Sequence, residues 1–209
     1  MRTKQHPSET IEYPESDGKP MAETDVHRDW MVRIIELLKF FFQGKWVYVS
    51  GNLLIYYVEG DPKKSVAPDG FVVKNSDPRR RRVFKIWEEG VGPGFVMEVT
   101  SRKTRREDLG SKKEKYALLK VAEYFLYDPL AEWLKPALQG FRLVDGDYVQ
   151  IEATVDGGLV SEYLGITFRL EGGDLALVNT ATGERLKSAA ERAEELADEL
   201  ARLRAERKP

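Results

Sequence analysis

The sequence predicts a mixed α/β fold, and three observations predict it. A helical apolar stripe lies near the start of the chain and another near its middle. Short runs rich in β-branched and aromatic residues separate and follow them. The order helix, strands, helix, strand is a mixed core, not a regular alternation of parallel units.

Residues 1–20 carry charge, proline and glycine without periodicity and read as a loose N-terminal arm. A core domain is expected over 21–183 and a terminal helix over 184–209. The first helix begins at about Glu23, with Thr24 or Asp25 as N-cap and His27, Met31, Ile34 and Leu38 on one face; Gly44 ends it. Trp46–Ser50 and Leu53–Val58 flank Gly51-Asn52 and predict a hairpin. Pro68-Asp69 leads into the strand Phe71–Val73. Phe95–Thr100 is a strand that is apolar except for Glu98. A helix over about Arg106–Lys120 and a strand over Glu123–Tyr127 follow, closed by Asp128-Pro129. Beyond them, hairpin-like segments lie around Phe141–Val144, Tyr148–Ile151 and Thr167–Leu170, punctuated by Gly146, Gly157-Gly158 and Gly172-Gly173. In the terminal helix Leu186, Ala193 and Leu200 repeat every seven residues, as do Ala189, Leu196 and Leu203. That a/d pattern suits a helix that packs on another, either back on its own domain or in a homodimer as a coiled coil.

With 209 residues, 42% of them hydrophobic, the chain can bury a substantial core. A net charge of -2 gives no global attraction to nucleic acid, so any such argument rests on local clusters. The absence of cysteine excludes disulfides, thiolate zinc sites and a cysteine nucleophile. No run approaches the roughly 18 apolar residues of a membrane span, and the first 20 residues lack the apolar core of a signal peptide. A cytoplasmic protein with no membrane partner is the expectation.

A carboxylate inside an apolar strand costs several kcal/mol unless something pairs with it. Glu98 is therefore either turned to solvent from an edge strand or paired. With Asp69 on a neighbouring strand it can converge on a divalent cation, whose hard charge prefers oxygen. Leu109, Lys112, Tyr116 and Leu119 share a helical stripe, which sets a lysine among apolar residues. Its ammonium either snorkels to water or reaches the carboxylates. His27, on the apolar face of its helix, reads as a packed histidine able to hydrogen-bond near the site. Lys74–Lys85 holds six bases, including Arg79, Arg80, Arg81 and Arg82, against one acid; Arg102–Lys120, with Arg102, Arg105 and Arg106, holds eight against three. Both runs flank the carboxylates, which suits phosphate contacts, although one such run is commonly a solvated surface.

The run Pro68-Asp69 followed by Gly70–Val73 resembles the PD motif of the PD-(D/E)XK nuclease superfamily. Phe95–Thr104 with Glu98, then Asp108-Leu-Gly-Ser-Lys112 and Tyr116, resembles the Uma branch of that superfamily, as do Glu123–Pro129 and Asp17–His27. The resemblance spans roughly residues 17–183. It implies a restriction-endonuclease-like core: a central mixed sheet flanked by helices, here with extra C-terminal hairpins and the terminal heptad helix. It further implies an endonuclease that hydrolyses phosphodiester bonds, with DNA as the substrate. Asp69, Glu98 and the carbonyl of Val99 would hold Mg²⁺ or Mn²⁺, and Lys112 would serve the reaction. The superfamily motif places a lysine two residues after Glu98, where this chain has Thr100. Lys112 takes its place in the comparison, with Lys103 the weaker substitute. Glu23 is an outer metal ligand in that scheme, or simply an acid favoured at a helix start. Tyr116 is a supporting residue. The alternative is a nuclease-fold module that grips nucleic acid or a protein partner with little or no cleavage.

Overall fold

The structure, a computed structural model, describes residues 11–16, 18 and 24–206. In chain order its elements are α1 (Asp25–Phe41), β1 (Val47–Ser50), β2 (Ile55–Tyr56), β3 (Ser65–Val66), β4 (Gly70–Lys74), β5 (Phe84–Lys85) and α2 (Ile86–Glu89). Then follow β6 (Phe95–Val99), α3 (Arg105–Leu109), α4 (Ser111–Leu118), β7 (Glu123–Tyr127), β8 (Leu138–Val144) and β9 (Asp147–Gln150). The chain closes with β10 (Leu159–Ser161), β11 (Ile166–Glu171), β12 (Asp174–Asn179) and α5 (Ala189–Glu206). The mixed α/β expectation is met. No helix among the described residues is long and apolar enough to cross a membrane.

Six strands form the central sheet in the order β1-β4-β6-β7-β8-β9. Only β6 and β7 are parallel, and the helices α3 and α4 supply the crossover that parallel neighbours require. Both of these strands are buried along their whole length, which is why they read as continuous apolar runs. Their alternate side chains feed two cores. Val72, Phe95, Met97 and Val99 pack with Ile34 and Leu38 of α1 and with Phe168 and Leu177 of the C-terminal strands. Phe71, Val73, Val96 and Leu126 pack on the opposite face with Tyr116 of α4 and Phe84. Glu98 shares the parity of Val96, so it points toward α4.

The expected hairpin across Gly51-Asn52 does not form. β1 pairs with β4, whereas β2 joins β3 and β5 in a separate small sheet. Gly51 is a close-approach residue instead: a Cβ there would lie 1.9 Å from the Asp69 carbonyl oxygen. The single helix expected over Arg106–Lys120 is likewise two helices, because Gly110 (φ -118, ψ -100) leaves helical space between α3 and α4. The break takes Leu109 off the inner stripe, where it is 45% exposed. The β8–β9 and β11–β12 hairpins form as expected. Their turns use Asp145-Gly146 and Gly172-Gly173 at positive φ, which matches the twist of antiparallel strands. Within the N-terminal arm, Tyr13 packs on Tyr56 and Trp87, and Pro14 accepts a hydrogen bond from the Tyr56 hydroxyl. That part of the arm lies on the domain and is not loose.

The start of α5 is fixed by a reciprocal cap. The Glu191 amide donates to the Ser188 hydroxyl (3.2 Å) and the Ser188 amide to the Glu191 carboxylate (2.6 Å). Arg33 and Arg185 add ion pairs to Glu191. The Ser188 amide is the main cause that holds the Glu191 carboxyl down at about 2. A depressed folded pKa means that this contribution is complete above the ordinary value of 4.5 and is lost as pH falls through about 2. Glu191→Ala is therefore expected to fray α5 at neutral pH, at a cost of about 1 kcal/mol. Far-UV circular dichroism should show the lost helicity at pH 7 and its convergence with the wild type in strong acid. Equal ellipticity of the two proteins at pH 7 would refute the cap.

Candidate active site

The ladder from Val72↔Phe95 to Gly70↔Met97 runs on to set Asp69 opposite Glu98 on the α4 face of the sheet. The two residues are tied through each other's backbone. The Asp69 amide donates to Glu98 Oε2 (3.3 Å), and the Val99 amide donates to Asp69 Oδ2 (2.8 Å). His27, buried in the first turn of α1, brings its Nε2 within 3.2 Å of the same Asp69 oxygen. Gly51 presses on the Asp69 carbonyl from the other side, and the Asn52 amide holds the Pro68 carbonyl at 2.8 Å. The strand end that carries Asp69 is thus fixed from several directions.

The helices complete the site. Lys112 Nζ lies 3.0 Å from Glu98 Oε2 and 2.9 Å from Asp108 Oδ1. The Tyr116 hydroxyl donates to Glu98 Oε1 at 2.6 Å, a length typical of a bond to an ionised carboxylate. Glu98, Asp108 and Tyr116 are all buried. Asp108 is in turn positioned by its own carbonyl, which accepts from the Tyr124 hydroxyl (2.9 Å).

The electrostatics follow from three carboxylates around one ammonium. Burial pushes the Glu98 carboxyl up to about 8, against the pull of Lys112 and with help from Asp69 and Asp108. Asp108 is raised for the same first reason, burial. Burial alone would lower the Lys112 pKa, but Glu98, Asp108 and Asp69 reverse it and hold it above its ordinary value. The Tyr116 hydroxyl is raised far above its usual range, first by burial and then by Glu98, so it remains a donor. With every carboxylate ionised, Lys112 leaves negative charge uncompensated, and the available donors are hard oxygens. That combination fits a divalent cation such as Mg²⁺ or Mn²⁺. Among the described residues no three aspartate, glutamate, histidine or cysteine side chains gather as a metal-binding group. The protein's share would be Asp69, Glu98 and the Val99 carbonyl, with water completing the shell.

A family profile described as "Uma2: Putative restriction endonuclease" matches residues 1–178. The chain belongs to that family. Among solved structures, a nuclease of DUF820 from Anabaena variabilis ATCC 29413, described as putative, matches with a TM-score of 0.52 at 16% identity. The match covers 70% of this chain and 76% of that one, and at such identity it shows the shared fold. No curated protein matches.

The structure brings Asp69, Glu98, Val99, Lys112, Tyr116 and His27 together. Thr100 is buried at the end of β6, where its amide bonds the Tyr127 carbonyl (2.7 Å). Lys103 lies exposed in the turn before α3, and Glu23 is outside the described residues. The Arg79–Arg82 cluster is largely spent on internal contacts. Arg79 and Arg81 pair with Glu89, Arg81 also lies over the Tyr48 ring, and Arg82 pairs with Glu15. Arg81 is itself buried, so it cannot present its charge to a polyanion, contrary to the sequence expectation. Arg80 makes no ion pair among the described residues. Arg102 is exposed just before α3 and Arg106 is exposed on it, and Arg105 lies over the Trp133 ring at 4.5 Å. Asp108 is the site residue that the sequence reading missed. Its i,i+4 spacing to Lys112 was the available signal, but an acid in a first helical turn has a ready explanation in the helix dipole.

Proposed function

We propose that the chain is a metal-dependent endonuclease that hydrolyses phosphodiester bonds in DNA. The observation that carries the reading is the Lys112 ammonium, held between Glu98 and Asp108 beside Asp69. When bound at Asp69, Glu98 and the Val99 carbonyl, Mg²⁺ or Mn²⁺ supplies Lewis-acid stabilisation of charge on the phosphate. The remaining work falls to the chain's own residues. Lys112 offers a positive donor for orienting the attacking water and for charge that develops on the phosphoryl oxygens. Asp108 anchors that ammonium at one end. Tyr116 and the Asp69 amide fix the two oxygens of Glu98, while His27 and the Val99 amide fix Asp69. Arg102 and Arg106, exposed on the flank, suit contacts to the nucleic-acid backbone.

A second reading is a nuclease-fold module that binds nucleic acid without cutting it. Thr100, in place of the superfamily lysine, favours that reading. Plasmid nicking by the purified protein in Mg²⁺ or Mn²⁺ separates the two. Cleavage is expected to fall by a factor on the order of 100 or more in Asp69→Asn. Equal nicking by the wild type and Asp69→Asn would defeat the assignment. Salt-sensitive DNA binding with no cleavage by either protein would favour the binding module.

A further inference from the structure

Among the described residues, the polar and ring contacts of α5 with the domain lie at its start. The Ala189 amide meets Glu36, Arg33 pairs with Glu191, and Arg192 lies over the Phe40 ring at 3.5 Å. Past Glu195 no hydrogen bond, ion pair or ring contact joins α5 to the domain among the described residues, and Leu196, Leu200 and Leu203 are 60%, 52% and 49% exposed. They lie on one stripe with Ala189 and Ala193. Ala193 and Leu200 take a positions, and Ala189, Leu196 and Leu203 take d positions.

The charges beside the stripe indicate what covers it. Glu199 falls at a g position and Arg204 at the following e position. Two parallel copies would set Glu199 of each against Arg204 of the other, giving two attractive pairs related by symmetry. An antiparallel pair would set Glu199 against its own copy. Its one compensating contact, Arg192 to Glu206, would draw on an arginine already stacked on Phe40 and turned toward Glu36.

We propose that α5 is a dimerisation element that pairs in parallel with α5 of a second copy of this chain. The stripe is about 21 Å long, near the lower limit of what holds two chains together. The dimer is accordingly reversible and concentration-dependent. It does not rest on the nuclease reading, since every test below reads mass or covalent linkage.

Sedimentation or light scattering of the full chain, over about 1 µM to about 1 mM, should show mass rising from one chain toward two. Leu196→Glu with Leu200→Glu should remain at one chain throughout with an unchanged thermal melt, because both leucines are exposed. Arg204→Glu should weaken the dimer about tenfold, and adding Glu199→Arg should restore it. The chain has no cysteine, so Leu203→Cys reports orientation directly. Parallel helices place the two sulfurs side by side, whereas antiparallel ones in the same a/d layers separate them by about 15 Å. Oxidation should therefore link Leu203→Cys into a covalent dimer. A single-chain mass at the highest concentration overturns the proposal. So does a dimer that survives the double glutamate variant, and so does failure of Leu203→Cys to cross-link while the wild type dimerises.

Discussion

Glu98→Gln is expected to abolish metal-dependent DNA cleavage, by a factor on the order of 10³, while leaving the fold as stable as the wild type or more so. The two halves of this result have separate causes. Loss of activity follows from the loss of one of the two proposed anionic ligands. Retained stability follows from the surroundings, where burial and two other carboxylates already oppose the Glu98 charge. The amide can keep every contact. Its oxygen accepts from Lys112 and the Asp69 amide, and its NH₂ donates to the Tyr116 hydroxyl, which can accept as well as donate. Lys112 keeps Asp108 as a counter-ion. A thermal melt without divalent cations, paired with a nicking assay, tests both halves. Substantial cleavage by Glu98→Gln would remove this residue from the site. A melting temperature many degrees lower would mean that the Glu98 charge is structural.

Lys112→Met is expected to damage stability and activity together. It leaves Glu98 and Asp108 buried with no nearby ammonium, and removal of one partner from a buried ion pair costs about 3–5 kcal/mol. For a chain of this size that corresponds to a melting temperature lower by roughly 10 °C. Adding Asp108→Asn should recover part of the loss, because one orphaned charge is then gone. A double-mutant cycle should therefore show coupling between positions 108 and 112. Cleavage should not return in the double variant, since the ammonium itself is missing. A Lys112→Met protein that melts within a degree of the wild type would show that Lys112 does not compensate the carboxylates.

Much of the site was legible because burial makes polar residues conspicuous. Glu98 stands in an apolar strand and Lys112 on an apolar stripe, and each placement demands a partner. Tyr116 followed from the same stripe. What remained hidden depended on geometry that periodicity does not encode. The reading of one continuous helix put Leu109 on the inner face, but the break at Gly110 turned Leu109 outward and Asp108 inward. The glycine and asparagine at 51–52 carry the chemistry of a tight turn. Their use is instead the close approach of backbone to backbone beside Asp69, which looks the same in sequence. The arginine run at 79–82 carried charge but gave no hint that Glu89 and Glu15, outside the run, pair with three of its four guanidinium groups.

The span of the site along the chain also bears on when it comes into existence. Asp69 meets a carboxylate 29 residues away, that carboxylate meets a hydroxyl 18 residues further on, and the histidine reaches across from α1. Only the Asp108–Lys112 pair is local. A nascent or partly unfolded chain therefore holds none of the paired anionic geometry, because no short segment can prefold it. The pair arises when β4 and β6 zip together, a long-range event in folding. A cation held by the finished pair, as proposed, would add its binding energy to the native state alone and so would also act as a latch on the folded chain.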